Sequence, residues 1–277
     1  MWPPFLLPQM QLDLGPLSPW GRALRRKRET DNLILDEIAR RRRDGTKGRD
    51  DVLSLLVDAR DEASQPMGDA ELLDELTTLL VAGHETTATA ISWAFRWILA
   101  TPAAEARLLE ELEDAQREGP LTSARIASLP YLDATAREAL RLQPVVPLVG
   151  RILERDMTIG GWDLPKGTAV VCSIYLAQRR PEAYPDPTLF KPERFLGKKL
   201  LPTEFFPFGG GIRRCIGMAF ALYEMKMVMA SLLVRTRLAL ASKRPIVTVR
   251  RSITLTPSEG LRVRLLEKRP ATARAAA

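Results

Sequence analysis

The chain has 277 residues, of which 45% are hydrophobic and 27% charged, and its formal net charge is +7. This length and composition allow one large hydrophobic core or two smaller ones. Two cysteines and a single histidine exclude a disulfide-rich framework, a zinc site of several thiolates and a metal centre of several imidazoles. Prolines at positions 3, 4, 8 and 16 interrupt the apolar start of the chain, which predicts neither a signal peptide nor a membrane helix. A cytoplasmic protein is expected, and contact of this stretch with a membrane surface is the less favoured alternative.

Helices are predicted throughout the first half of the sequence. Apolar residues at helical spacing, with Pro or Gly near most of the ends, predict helices over about 19–43, 50–61, 69–101, 103–118 and 131–142. The third helix would be about 45 Å long, which exceeds the usual length in globular proteins. The first helix carries two runs of four basic residues beside apolar positions, which indicates a solvated helix face rather than a nucleic-acid site.

The second half of the sequence contains many Gly, Pro and Asp residues, which predict short strands and loops instead of long helices. Short runs predict strands over 157–164 and 168–175, followed by a long ordered loop over 181–211 whose aromatic residues need burial. A last helix is predicted over 216–235, a hairpin over 253–266 that turns at 258–260, and a disordered tail after 270. The expected fold class is mostly α with a small β component.

The most specific motif of the sequence is Phe208–Gly217, which reads F-x-x-G-x-R-x-C-x-G. It places Cys215 at the start of a predicted helix, where free N–H groups and the helix dipole favour a thiolate. The glycines before the cysteine let the backbone pass close to a bound group, where a side chain would collide. A lone cysteine before a helix is otherwise an inert buried thiol, so the flanking pattern decides the interpretation.

This motif resembles the cysteine loop of cytochrome P450s, the family of haem-thiolate monooxygenases. The resemblance implies haem b as cofactor, with Cys215 as the iron ligand and Arg213 paired with a haem propionate. Phe208 would shield the sulfur from water. Three glycines would let the backbone approach the cofactor, namely Gly209, Gly211 and Gly217.

A second motif, Ala82–Thr87, lies in the middle of the long helix and is similar to the oxygen-activation motif of the same family. Thr86 can bond the carbonyl of Ala82 one turn back and open a groove, while Gly83 lets the helix lie near the haem. The resemblance gives Glu85 and Thr86 the role of an acid and alcohol pair that delivers protons during oxygen activation. The only histidine occupies the variable position of the motif and is interpreted as structural.

A third motif is a carboxylate and a guanidinium three residues apart, Glu138 and Arg141. This spacing occurs elsewhere in the chain by chance, so its position upstream of Phe190–Phe195, which resembles the F-x-P-E-R-F segment of the family, singles it out. The resemblance implies that Glu138, Arg141 and Arg194 form a buried charged network that holds the cysteine loop in register.

The segment between these motifs resembles the part of the family that lines the substrate pocket. Arg151 is expected to bind a second propionate. The apolar wall of the pocket, which favours a hydrophobic substrate, would consist of Val145, Val146, Leu148 and Val149.

The resemblance implies a single partial P450 domain over residues 1–270, running from the distal-lid helices to the C-terminal hairpin, with a disordered tail at 271–277. The expected fold is N-terminally incomplete. The implied activity inserts one atom of O₂ into an apolar substrate, with electrons from a separate ferredoxin or flavodoxin, because no dinucleotide-binding motif is present. Neither a nucleic-acid partner nor a transmembrane segment is expected. The alternatives are a non-catalytic remnant with weak or no haem binding and a basic helical interaction module.

Overall fold

The structure is a computed structural model, and it describes residues 11–198, 201–242 and 244–269. The helices are α1 Pro19–Asp44, α2 Val52–Asp58, α3 Asp69–Ile98, α4 Pro102–Glu118, α5 Ser123–Ser128, α6 Pro130–Leu142, α7 Ile174–Ala177 and α8 Met218–Arg235. The strands are β1 Leu148–Ile152, β2 Met157–Ile159, β3 Trp162–Leu164, β4 Ala169–Ser173, β5 Thr236–Leu240, β6 Thr248–Arg251, β7 Thr254–Pro257 and β8 Val263–Lys268. The predicted fold class, mostly α with a small β component, is confirmed. The predicted tail at 271–277 lies outside the described residues.

The helix ends follow capping rules. Ser18 begins α1, because its side chain accepts from the backbone N–H of Gly21 and Pro19 occupies the first helical position. Gly45, with φ of 82°, ends the same helix in a conformation that favours glycine. None of the helices of the described residues has an apolar stretch long enough to cross a membrane.

Two compact units divide the chain, and their boundary lies inside α3, between His84 and Glu85. In the first unit, the buried side chain of Arg41 joins α1 to the start of α2 through an ion pair of 2.6 Å with Asp51. The basic runs of α1 are largely paired with acidic residues of the same helix, for example Lys27 with Asp31 at 2.6 Å. The single domain predicted for residues 1–270 stays a prediction.

The core of the second unit lies between the later part of α3 and helices α4, α6 and α8. Its side chains are apolar and nearly inaccessible, and they include Ala94, Ile98, Leu108, Leu132, Met225 and Met229. The indole N–H of Trp93 donates to the carbonyl of Leu255 at 2.9 Å and so joins α3 to β7. This packing holds two helices next to the predicted site. Helix α6 carries the predicted charged network, and helix α8 follows the predicted iron ligand, Cys215.

The eight strands form four separate antiparallel pairs, namely β1 with β4, β2 with β3, β5 with β8 and β6 with β7. The hairpin predicted over 253–266 is therefore wrong. Its first strand, β7, pairs with β6, and its second strand, β8, pairs with β5. The Gly-containing turn at 258–260 makes only a local bridge between Ser258 and Gly260, because each strand finds a partner upstream in the chain.

Candidate functional site

The cysteine loop, Phe208–Gly217, connects the long loop to α8. The backbone N–H of Cys215 donates to the carbonyl of Phe208 at 2.9 Å and closes the loop on itself. Gly209 and Gly211 have φ values of 72° and 66°, a region that side chains strongly disfavour. The two glycines therefore allow a turn that presents Cys215 just before the first residue of α8.

The thiol of Cys215 is exposed. It precedes α8 by three residues, and the N-cap Gly217 provides no side-chain hydrogen bond to the first N–H groups of this helix. The first N–H groups of this helix therefore have no side-chain acceptor from the N-cap residue. Among the described residues, no group of three or more His, Cys, Asp and Glu side chains gathers to hold a metal ion.

Space for a large group surrounds this loop. A Cβ built on Gly209, Gly210 or Gly211 would meet no atom of the described residues within 4 Å. Three large apolar side chains beside the cysteine are exposed, Ile212 by 102%, Ile216 by 94% and Phe220 by 63%. Clustered apolar exposure of this kind marks a surface that a ligand or partner covers.

The predicted oxygen-activation residues follow one another along α3. Ala82 and Gly83 end the first unit, whereas Glu85 and Thr86 begin the second. Glu85 is exposed and Thr86 is half-buried. An acid and a hydroxyl therefore occupy consecutive helix positions that solvent or a small molecule can reach.

The structure brings the predicted charged network together. Glu138 and Arg141 are both completely buried on α6, and Arg141 Nε donates to Glu138 Oε2 at 2.6 Å. A second bond joins Arg141 Nη2 to Glu138 Oε1 at 2.8 Å, so the pair is bidentate. Arg194 Nε lies 3.4 Å from the same Oε1 atom. These two atoms form an ion pair but no hydrogen bond. Arg194 Nε is buried and has no hydrogen-bond partner among the described residues.

Arg141 also connects α6 to the long loop. Its Nη1 atom donates to the carbonyls of Gln178 at 2.9 Å and Pro187 at 2.8 Å, and Nη2 donates to Leu189 at 3.2 Å. The backbone N–H of Lys191 donates to Glu138 Oε1 at 2.8 Å. A buried charge pair needs such additional bonds to offset its desolvation. The network therefore fixes the path of the loop that leads to the cysteine.

The predicted pocket residues lie in and just before β1. Val145 is buried in the core, and its carbonyl accepts from the N–H of Leu255 at 2.7 Å. Val146 and Val149 are half-buried and Leu148 is exposed. Because Leu148 and Val149 are neighbours on a strand, their side chains point to opposite faces. Their role in a substrate pocket stays a prediction.

The two predicted propionate ligands are both accessible. Arg151 is exposed on β1, where its guanidinium donates to the carbonyl of the adjacent Gly150 at 2.7 Å. Arg213 is exposed within the cysteine loop. Each guanidinium can thus turn toward an anionic group without breaking a buried contact.

Sequence reasoning missed a contact that fixes the start of α6. Glu111 of α4 accepts from the backbone N–H groups of Tyr131 at 2.7 Å and Leu132 at 2.8 Å. Burial raises the pKa of Glu111, and the two N–H bonds oppose this rise. No local signal identifies this cap, because the carboxylate comes from another helix and not from the N-cap residue, Leu129.

Comparisons with known proteins show the family of this chain. The family model of cytochrome P450 matches residues 2–264. The chain belongs to the cytochrome P450 family. It is 40% identical over 255 residues to the provisionally named cytochrome P450 135B1 of Mycobacterium tuberculosis (strain ATCC 25618 / H37Rv). The match covers 92% of this chain and 53% of that relative. The provisionally named cytochrome P450 137 of the same strain is 39% identical over 252 residues, covering 91% and 50%.

Solved P450 structures match the fold. The crystal structure of a cytochrome P450DA heme domain has a TM-score of 0.79 and 28% identity, and the match covers 86% of this chain and 54% of that one. A second P450 structure, CYP102L1, has a TM-score of 0.74 and 29% identity, with coverage of 87% and 56%. The chain spans about half the length of the curated relatives that it matches.

The family implies a haem cofactor, and the residues present fit one. The exposed thiol can be an iron ligand, the open space at the glycines can admit a flat ring, and exposed apolar side chains can cover its faces. The exposed guanidinium of Arg213 can neutralise a carboxylate at the ring edge. A single cysteine donor is compatible with a thiolate-ligated haem, in which the porphyrin supplies the other ligands.

Proposed function

We propose that the chain is the cysteine-ligating part of a haem b monooxygenase in which Cys215 is the axial ligand. One observation carries this proposal: an exposed thiol at the start of α8 lies between glycines that face open space and apolar side chains that face solvent. A structural cysteine would be buried and inert. The arrangement instead suits a thiolate that binds a large apolar cofactor.

Thiolate-ligated haem supplies activation of O₂, with one oxygen atom entering the substrate, the other leaving as water, and two electrons and two protons consumed. The chain's own residues have other tasks. Glu85 and Thr86 would deliver protons as an acid and alcohol pair, because both occupy accessible positions of α3. Arg213 and Arg151 would hold the two propionates. The apolar residues of 145–149 favour an apolar substrate.

The electrons would come from a separate acidic protein of the ferredoxin or flavodoxin type. Net charge supports this choice, because the chain carries +7 and the cysteine loop itself exposes Arg213 and Arg214. Complementary charge speeds the encounter of two proteins and orients them. Electron transfer should therefore become slower as the salt concentration rises.

The test compares the two cysteines of the chain. Each is exposed and free, so Cys215→Ser and Cys172→Ser remove equivalent thiols. After reconstitution with haem, the ferrous CO complex of the parent and of Cys172→Ser should absorb at the position typical of thiolate ligation. Cys215→Ser should lose that band completely. A thiolate band that survives Cys215→Ser would refute the ligand, and its absence from all three proteins would favour the haem-free remnant.

A further inference from the structure

A polar cluster at the start of α6 takes part in no proposed chemistry. It consists of Arg107 of α4, Tyr131 of α6 and Glu193 of the 3-10 turn Pro192–Phe195. The hydroxyl of Tyr131 donates to Glu193 Oε1 at 2.9 Å, and Arg107 Nη1 lies 3.4 Å from the same oxygen. The guanidinium of Arg107 also lies over the Tyr131 ring, 4.6 Å from its centroid. Three separate elements thus meet at one carboxylate.

Tyr131 is the buried member of this cluster. Its exposure is 3%, whereas the side chains of Arg107 and Glu193 are exposed by 50% and 49%. An ion pair exposed to this degree contributes little, because water screens it. A hydrogen bond from a buried hydroxyl to a carboxylate is stronger and more directional. The hydrogen bond from Tyr131 therefore contributes most to holding Glu193, and Arg107 contributes less.

The turn that carries Glu193 also carries a residue of the predicted network. Glu193 points to Tyr131, while the next residue, Arg194, lies beside Glu138. Tyr131 and Glu138 are seven residues apart on α6, which puts them on the same face, two turns from each other. One face of α6 therefore holds the turn at two points.

The contact between Arg194 and Glu138 is weak without the bond between Glu193 and Tyr131. Arg194 Nε has no hydrogen bond among the described residues, so its distance of 3.4 Å from Glu138 depends on how the turn is oriented. The Arg194 side chain donates to the carbonyl of Asp186 at 2.7 Å, within the same loop. A contact inside the loop cannot fix the loop against the helix. The hydroxyl of Tyr131 can, because it belongs to α6, and it holds the turn at Glu193 in addition to the bond between Glu138 and the backbone N–H of Lys191 just before the turn.

The turn continues toward the cysteine. Phe195, its last residue, packs edge-on against Phe205 with 5.0 Å between ring centroids. Three residues further, the carbonyl of Phe208 accepts the N–H of Cys215. A rotation of the turn would thus be transmitted through packed rings to the loop that presents the thiol.

We propose that Tyr131, through its hydrogen bond to Glu193, is a positioning residue that orients the turn Pro192–Phe195, and with it Arg194 and the cysteine loop. The orientation of the turn is a property of the polypeptide alone. Its consequence for the haem rests on the proposed function. The two parts can therefore be tested separately.

Amide hydrogen exchange of the chain without haem tests the first part. Tyr131→Phe removes one hydroxyl and keeps the ring under Arg107. We expect exchange in the turn, at Arg194 and Leu196, to become about tenfold faster, while α8 stays protected. Glu193→Gln keeps an acceptor for the hydroxyl and should preserve protection, and the double variant should be no worse than Tyr131→Phe.

Tyr184→Phe is the matched control. Tyr184 is also buried, its hydroxyl donates at 2.9 Å to the carbonyl of Glu204, and its ring lies 4.8 Å from the guanidinium carbon of Arg141. Its loss should leave the turn protected. Unchanged exchange of the turn in Tyr131→Phe, or equal acceleration in both variants, would overturn the proposal. If Tyr131→Phe does not fold, the exposed Glu193→Ala tests the same bond with the same expectations.

The haem-loaded chain tests the second part. On incubation, the ferrous CO complex of Tyr131→Phe should lose its thiolate band about tenfold faster than the parent, at temperatures where helical circular dichroism is unchanged. Tyr184→Phe should behave as the parent, and equal loss rates in Tyr131→Phe and the parent would contradict positioning of the cysteine. If even the parent shows no thiolate band, the proposed function fails, and the exchange experiment still decides the orientation of the turn.

Discussion

The charged network of α6 and the cysteine loop are two regions of the second unit that differ in completeness. Glu138 and Arg141 are entirely buried, and three backbone carbonyls and one backbone N–H add to their bidentate pair. Cys215 and the apolar side chains beside it are exposed, although the backbone of their loop is closed by its own hydrogen bond. The polypeptide completes the first region by itself. The second exposes a thiol and apolar side chains that a bound cofactor would cover.

The largest expected effect comes from breaking the complete region. Arg141→Met should lower the free energy of unfolding by about 3–5 kcal/mol, because it leaves the carboxylate of Glu138 buried and unpaired. The matched control is Arg137→Met on the same helix, one turn earlier, whose pair with Asp133 is partly exposed at 35% and 27%. That change should cost less than about 1 kcal/mol. Urea unfolding measures both, and equal losses would mean that burial does not distinguish the two pairs.

The second effect concerns the incomplete region. Haem at about 100 times its dissociation constant should stabilise the chain by about 2.7 kcal/mol, since it binds only the folded state. Ile216→Ser should change the stability of the haem-free chain by less than about 0.5 kcal/mol, because the side chain is already 94% exposed. The same variant should bind haem more weakly, as measured by haem titration and thermal unfolding. A large loss in the haem-free chain would show that Ile216 already packs against protein.

Much of this contrast follows from the sequence, because it depends on local patterns. Helices α1, α3, α4 and α6 begin within a residue of the predicted positions, since proline and capping residues mark their first turns. The spacing of Glu138 and Arg141 allows their bidentate pair, although only the family resemblance singled this pair out among others with the same spacing. The turn at Gly209 and Gly211 follows from the absence of side chains at positions with positive φ.

The rest depends on partners that lie far away in the chain. Helix α5 was not predicted, because its six residues are too few to show a helical period. Strand β1 contains Gly150 and Arg151 and becomes a strand by pairing with β4. The predicted hairpin was wrong because β8 pairs with β5, which precedes it by more than twenty residues. The link from Tyr131 to Glu193 spans 62 residues and leaves no local signal.

A third prediction sharpens the role of the accessible residues of α3. Thr86→Ala should leave the haem spectrum nearly unchanged, because Thr86 is not among the residues proposed to ligate the iron or bind the propionates. With a ferredoxin-type donor, however, product formed per electron pair should fall about tenfold or more, and hydrogen peroxide should rise correspondingly. Thr86→Ser keeps a hydroxyl and is the control. Unchanged coupling of electrons to product in Thr86→Ala would contradict a role in proton delivery.

The smallest effect tests whether the contrast between buried and exposed charge extends to the first unit, where Arg41 meets Asp51. The side-chain hydrogen bond from Arg41, followed by the backbone N–H of Ser54, lowers the pKa of Asp51 to about 2. A carboxyl group with a lowered pKa in the folded state stabilises that state above its unfolded pKa of about 3.9, and this contribution disappears as the pH falls toward 2. We therefore expect the contact between α1 and α2 to loosen between about pH 4 and pH 2. Exchange of the Ser54 amide, which donates to Asp51 Oδ1 at 3.0 Å, reports on this contact once corrected for intrinsic rates. Asp51→Asn should remove the pH dependence while retaining an acceptor for that amide, and the same pH dependence in this variant would assign the titration to another group.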